Sequence, residues 1–196
     1  VLKETNVTYT HDIYPWARAY QMAKRDNNTL IYSIGRTEKR EKLFHWIGVI
    51  GPVEYCVISL KSRDDIQIDT LDDLKKYKIG TIRNDIQEKY LFSMGFKKDE
   101  QIISVSKQQQ NIELLIKKRI DLWASVELSA SYIARKNNYS YDKLFQRKFC
   151  FENLSNEGTY MAFSKNTNSS LLQKFKKALI KIKENGTYDA IMKKYL

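Results

Sequence analysis

Along residues 70–136, short apolar runs alternate with segments whose apolar positions recur every three or four residues. The runs at 78–82, 102–105 and 120–126 predict strands, and the segments at 85–94, 111–118 and 128–136 predict helices. In 111–118, Ile112, Leu115 and Ile116 fall on one helical face. Thr70-Leu71-Asp72-Asp73 reads as a capping box, with Thr70 at the N-cap and an acid three residues on, and predicts a short helix through Tyr77. Gly95 stops the helix that precedes it. The resulting βαβαβα order predicts a parallel sheet covered by helices, an α/β fold.

The flanks extend this pattern. Residues 7–10 are β-prone, 16–24 predict a helix, 29–34 a strand and 36–42 a charged turn, followed by an apolar segment ending at Gly51-Pro52. Two further apolar strands, 54–60 and 159–163, bracket the central α/β region, and helices at 171–183 and 188–196 close the chain around Asn185-Gly186. The organisation expected is one lobe interrupted by another. Residues 1–54 and 163–196 form lobe 1, 60–157 form lobe 2, and strands near 55–60 and 158–163 act as the hinge. Ligands of open α/β sheets lie at the carboxyl ends of the strands, so the expected site is the cleft between the lobes.

Composition changes the picture only at the margins. With 196 residues, 42% hydrophobic and 29% charged, the chain is globular in type. No apolar stretch approaches the eighteen or so residues of a membrane span, and no secretory signal is present. The opening residue Val1 suggests a processed or trimmed product. The formal charge of +11 invites a nucleic-acid reading. However, the cations are mostly Lys and are spread along the chain. Residues 170–196 hold seven Lys against Glu184 and Asp189, set between Leu172, Phe175, Leu179 and Ile182 at helical spacing. That describes a solvated basic face rather than a nucleic-acid site, though its field would draw in anionic solutes. Cys56 and Cys150 are compatible with one disulfide or with two buried thiols. With only His11 and His45 beside them, no metal site and no cofactor are expected.

Four segments carry a family resemblance: Tyr14-Pro15-Trp16-Ala17-Arg18-Ala19; Arg36-Thr37-Glu38-Lys39-Arg40-Glu41 with Phe44-His45-Trp46-Ile47-Gly48; residues 70–83; and residues 158–164 with Asn185-Gly186-Thr187-Tyr188. Their order and spacing resemble a type II periplasmic binding protein, in the amino-acid-binding branch of the bacterial extracellular solute-binding family 3. The resemblance implies two Rossmann-like lobes joined by two hinge strands. It implies a small polar ligand, foremost an amino acid, delivered by a monomeric periplasmic protein to the membrane permease of an ABC transporter. The family's first strand and helix lie ahead of the position of Val1, so the resemblance implies an N-terminally truncated lobe 1.

An amino-acid zwitterion needs a cation for its carboxylate, an acid for its ammonium and an apolar wall. Arg40 resembles the family arginine that grips the carboxylate, a task suited to the guanidinium fork. Ser33 and Gly35 end the preceding strand, where backbone groups meet the same ligand. Arg36 is a second cation, with a solvated or lobe-closing role as the alternative. In lobe 2, Arg83-Asn84-Asp85 lies between a strand and a helix N-terminus whose amides favour an anion. Asp85 reads as an N-cap before it reads as a ligand contact, and Arg83 either meets ligand or clasps the opposite lobe. Ser125 and Glu127 stand where the resemblance places the ammonium-binding acid. The usual aspartate is missing there, and Glu127 either substitutes or simply starts a helix. Without an acid, the ligand is not a standard α-amino acid. Tyr14 and Trp16 are candidate aromatic walls, with core packing the alternative for Trp16. Trp46 and Trp123 are assigned to the core.

The chain carries no G-x-S-x-G, no P-loop and no G-x-G-x-x-G, and no enzyme is expected. The alternatives keep the fold and change the role: a ligand-sensing domain of a signalling receptor, or a regulatory lobe of a cell-wall enzyme. The end at Leu196, with no juxtamembrane helix, points to the transport form. A nucleic-acid binder would instead show steep salt dependence.

Overall fold

The computed structural model describes residues 1–152, 154 and 158–195. Two compact units are present: unit 1 comprises Val1–Tyr14, Arg18–Val53 and Ser155–Leu196, and unit 2 comprises Pro15–Ala17 and Glu54–Leu154. The chain begins with α1 (Leu2–Thr5), α2 (Trp16–Arg25), β1 (Leu30–Gly35), α3 (Glu38–Glu41) and β2 (Phe44–Gly51). Then come β3 (Tyr55–Leu60), a 3-10 helix at Leu71–Lys76, β4 (Ile79–Ile82), α4 (Ile86–Ser93), β5 (Ile102–Val105) and α5 (Gln108–Ile116). They are followed by β6 (Leu122–Val126), α6 (Glu127–Lys136), α7 (Tyr141–Leu144) and β7 (Phe145–Cys150). The closing elements are β8 (Thr159–Ser164), α8 (Ser169–Glu184) and α9 (Thr187–Tyr195).

Unit 1 is built on a three-stranded sheet in the order β1-β8-β2, with both pairings antiparallel. The β1–β8 register slips at Ser33, whose φ of 56° is left-handed, and the resulting bulge bends β1 just before Gly35. The apolar stripe of α8 covers the sheet, packing Phe175, Leu179 and Ile182 against Ile47, Met161 and Phe163. Gly48 permits that close approach, because a Cβ there would lie 2.7 Å from Leu179 Cδ2. Lys174, Lys176, Lys177, Lys181 and Lys183 remain on the exposed side of the helix. Unit 1 carries sixteen Lys and Arg against eight acids and unit 2 eighteen against fifteen, so the basic excess belongs mainly to unit 1.

Unit 2 holds a five-stranded sheet in the order β5-β4-β6-β3-β7. The parallel sheet expected from the sequence is its β5-β4-β6 part, to which β3 and β7 add antiparallel strands. Ile58, Ile112, Leu115, Trp123, Ala134 and Phe145 fill one core beneath α5 and α6. The Trp123 indole N–H donates to Gln108 Oε1 at 2.7 Å, so this fully buried ring keeps a polar partner. Gly80 in β4 lets Asn111 and Ile120 close over the strand, since a Cβ would meet both at 2.5 Å. The capping box at Thr70 is formed: the Thr70 amide and hydroxyl both donate to Asp73 Oδ2 at 2.9 Å.

The two cysteines are joined. Cys56 and Cys150 stand directly opposite each other on β3 and β7 and form a disulfide. The expected hinge strands are each paired on both sides, β3 with β6 and β7, β8 with β1 and β2. Several expectations need correction. Residues 7–10 form no strand, and Tyr9 there is exposed: β-prone side chains without a ladder partner do not hold extended pairing. The charged turn at 36–42 contains the one-turn helix α3. Trp46 is half-buried rather than part of the core, because Arg36 lies over its ring.

Candidate ligand-binding site

In unit 1 the candidate residues gather where β1 ends and α3 begins. Arg40 is buried, at 4% exposure. Its Nη1 donates to the Gly35 carbonyl at 3.0 Å, and its guanidinium lies 5.2 Å from the centre of the Tyr20 ring. Strand, one-turn helix and α2 thus fix the fork at one place. Arg36 is differently engaged. Its Nε and Nη2 donate to the two Glu41 oxygens at 2.8 and 2.6 Å, while its guanidinium carbon lies 5.4 Å from the ring centres of both Trp46 and Tyr160, which pack edge to face on each other. The hydrogen bonds that Arg36 donates to Glu41 raise the Arg36 pKa, and they hold the Glu41 carboxyl below its usual range. The Trp46 indole N–H donates to the Glu41 carbonyl at 3.2 Å, which closes the cluster. Ser33 is exposed at its bulge and Gly35 is buried. Tyr14 is half-buried, with the Arg18 guanidinium 4.4 Å from its ring centre.

In unit 2 the candidates lie at the carboxyl ends of β4 and β6. Arg83 is exposed, and Asn84 adopts the left-handed conformation with φ 62°. Asp85 caps α4, its Oδ1 accepting from the Glu88 amide at 2.7 Å. Glu88, only 3% exposed, accepts from the Asn84 amide at 2.5 Å and the Thr81 hydroxyl at 3.0 Å, and also from the Ser104 hydroxyl. The chain's own carboxylates thus take part of the donor capacity at this helix start. The Asn84 and Glu88 amides are taken by Glu88 and Asp85, so an anion here would stand beside two carboxyl side chains. Trp16 belongs with this unit, and its indole N–H donates to the Asn84 carbonyl at 3.3 Å. Ser125 is fully buried, with its hydroxyl on the Val126 carbonyl at 3.3 Å. Glu127 opens α6 and accepts from Tyr141 and from Arg147, each at 3.3 Å. Arg147 also pairs with Glu54 at 2.9 Å. Burial, followed by the Glu127 charge, raises the Tyr141 pKa.

The sequence pattern of the bacterial extracellular solute-binding proteins, family 3, matches residues 1–196. The chain belongs to this family. No curated protein matches it. Among solved structures, a histidine kinase sensor domain with similarity to periplasmic binding proteins superposes with a TM-score of 0.82 at 20% identity, covering 100% of this chain and 81% of that one. An ancestral arginine-binding protein bound to glutamine gives 0.81 at 21% identity, covering 100% and 83%. The arginine-, lysine-, histidine-binding protein ArtJ of Geobacillus stearothermophilus gives 0.77 at 20% identity, covering 100% and 81%. At these identities the likeness establishes the fold.

Unit 1 holds the buried fork of Arg40 and the aromatic cluster around Arg36, and in unit 2 the loop of Arg83 and Asp85 meets the Trp16 indole through the Asn84 carbonyl. Among the described residues no group of three or more His, Cys, Asp or Glu is placed to hold a metal, and no helix is long and apolar enough to cross a membrane. Glu88, Tyr20 and Tyr160 were not singled out from the sequence. For Glu88 a signal existed, since Asp85-Ile86-Gln87-Glu88 has the N-cap-to-N3 spacing of a capping box. Tyr20 and Tyr160 carry no such local mark.

Proposed function

We propose that this solute-binding protein holds an amino acid or a similar small polar solute without chemical conversion. The family match over residues 1–196 carries the reading. Arg40 is the proposed carboxylate clamp, supported by its burial and by the strand end and ring that fix its fork. Gly35 and Ser33 offer backbone groups beside it. Tyr14 and Trp16 are the proposed apolar walls. Arg83 and Asp85 are the proposed polar contacts of unit 2, with Asp85 facing the ligand's ammonium. Glu127 and Ser125 are secondary candidates, because Glu127 already pairs with Arg147 and Tyr141 and Ser125 is enclosed.

Delivery to the permease of an ABC transporter outside the cytoplasm is the role we favour. The Cys56–Cys150 disulfide supports an oxidising compartment such as the periplasm. A sensing role is the second reading, favoured by the likeness to a histidine kinase sensor domain. A thermal-shift screen of amino acids, small cations and organic acids tests the proposal, because a ligand that binds only the folded chain raises its melting temperature. A shift with amino acids supports the reading. A shift with organic acids alone moves the ligand class, and none with any compound contradicts it.

A further inference from the structure

We propose that Glu88 is a positioning residue for the loop Arg83-Asn84-Asp85, and that its two carboxylate oxygens have separate tasks. The inference rests on the reading that this loop meets the ligand. Oε1 accepts from the Thr81 hydroxyl at 3.0 Å and from the Ser104 hydroxyl, tying the ends of β4 and β5 together. Oε2 accepts from the Asn84 amide at 2.5 Å. Asn84 adopts the left-handed conformation at φ 62°, which Asn tolerates better than other non-glycine residues and which turns the loop at this point. The peptides on both sides of it are engaged: its amide by Glu88, and its carbonyl by the Trp16 indole at 3.3 Å. Glu88 itself is held by the Asp85 side chain, which takes its backbone amide at 2.7 Å. The loop therefore has little freedom, and the directions in which Arg83 and Asp85 leave it depend on a carboxylate buried beneath.

What the position requires is an acceptor for the Asn84 amide, not a negative charge. A glutamine can turn its oxygen to that amide and its NH2 to the two hydroxyls, which also accept. A methionine of similar length has no acceptor there. The test compares Glu88→Gln, Glu88→Met and the double variant Thr81→Val with Ser104→Ala. The probe is whichever of L-arginine, L-glutamine and L-glutamate binds the wild-type chain most tightly in calorimetry. We expect Glu88→Gln to bind within about threefold of wild type and Glu88→Met to lose about tenfold or more. Amide exchange at Asn84 should accelerate in Glu88→Met, measured without ligand. The double variant should melt earlier yet bind within about threefold, because it loosens the strands and leaves Oε2 on Asn84. Wild-type affinity in a folded Glu88→Met, or an equal affinity loss in the double variant, overturns the proposal. If none of the three probes binds, the functional reading fails instead. The exchange rate at Asn84 then still decides whether Glu88 holds the loop.

Discussion

Arg36 and Glu41 form a two-pronged ion pair, at 2.8 and 2.6 Å, with the guanidinium 5.4 Å from the ring centres of both Trp46 and Tyr160. The pair separates the roles of two arginines that lie four residues apart. Arg36 spends its fork on Glu41, whereas Arg40 is bonded to a backbone carbonyl at the end of β1. A ligand carboxylate competing for Arg36 would have to displace an acid already in place. Arg36→Gln is therefore expected to change ligand affinity by less than about threefold, while Arg40→Lys, which keeps the charge and loses the fork, is expected to cost about tenfold or more. Parallel calorimetric titrations of both variants decide this.

Burial sharpens what Arg40 substitutions can show. Arg40→Ala leaves the buried Gly35 carbonyl without this donor and removes packing from Tyr20, so a stability loss of about 1–3 kcal/mol is expected. Its binding defect is meaningful only beside a melting curve, which makes Arg40→Lys the cleaner reporter. Equal melting temperatures for wild type and Arg40→Ala would contradict the buried placement.

Acid should act through the same cluster. The Arg36 hydrogen bonds hold the folded-state pKa of Glu41 below its ordinary value of 4.5. A carboxyl depressed on folding contributes stability above its unfolded pKa and loses it as pH falls through the folded value. Stability should thus decline below about pH 4.5, and Glu41→Gln should flatten that decline. Melting temperatures recorded down a pH series for both chains check it. A steeper acid limb in the variant would reverse the sign.

The disulfide closes a segment with a sequence separation of 94. It joins β7, an edge strand, to β3, and nearly all of unit 2 lies within the ring. Removing it with Cys56→Ala and Cys150→Ala should destabilise the chain by about 2–5 kcal/mol, chiefly by freeing the unfolded state. Denaturant titrations of the oxidised chain and the variant measure this. Coincident midpoints would show that the bond does not constrain folding.

Gly48 marks the contact between β2 and α8. Its Cβ would stand 2.7 Å from Leu179 Cδ2, so Gly48→Ala should cost about 1–3 kcal/mol by overpacking. Adding Leu179→Ala should recover part of that loss, and a double-mutant cycle reads the coupling. Additive losses would mean that the two residues do not compete for the same space.

The parallel centre of unit 2 was legible because its strands are short apolar runs set between helix-forming segments, one of which places Ile112, Leu115 and Ile116 on a single face. The strand expected at 102–105 is β5 itself. β7 was not legible, because Gln146, Arg147 and Lys148 break its apolar pattern, as befits an edge strand whose stability comes from β3 and the disulfide. Residues 7–10 failed in the opposite sense, since local propensity predicts a strand but pairing is a long-range event. At the candidate site, family resemblance singled out Arg40, and helix-start chemistry gave Asp85 its capping role. The partners of Arg36 and Glu88 were hidden, because Tyr160, Thr81 and Ser104 come from other strands.

The central claim is that the folded chain binds an amino acid. Calorimetric titration of the wild-type chain with the amino acid giving the largest thermal shift is the most direct test. A saturable heat with one ligand per chain, greatly weakened in Arg40→Lys, is the result expected. No saturable heat with any standard L-amino acid at about millimolar concentration, a range that would reveal even weak binding, would contradict it.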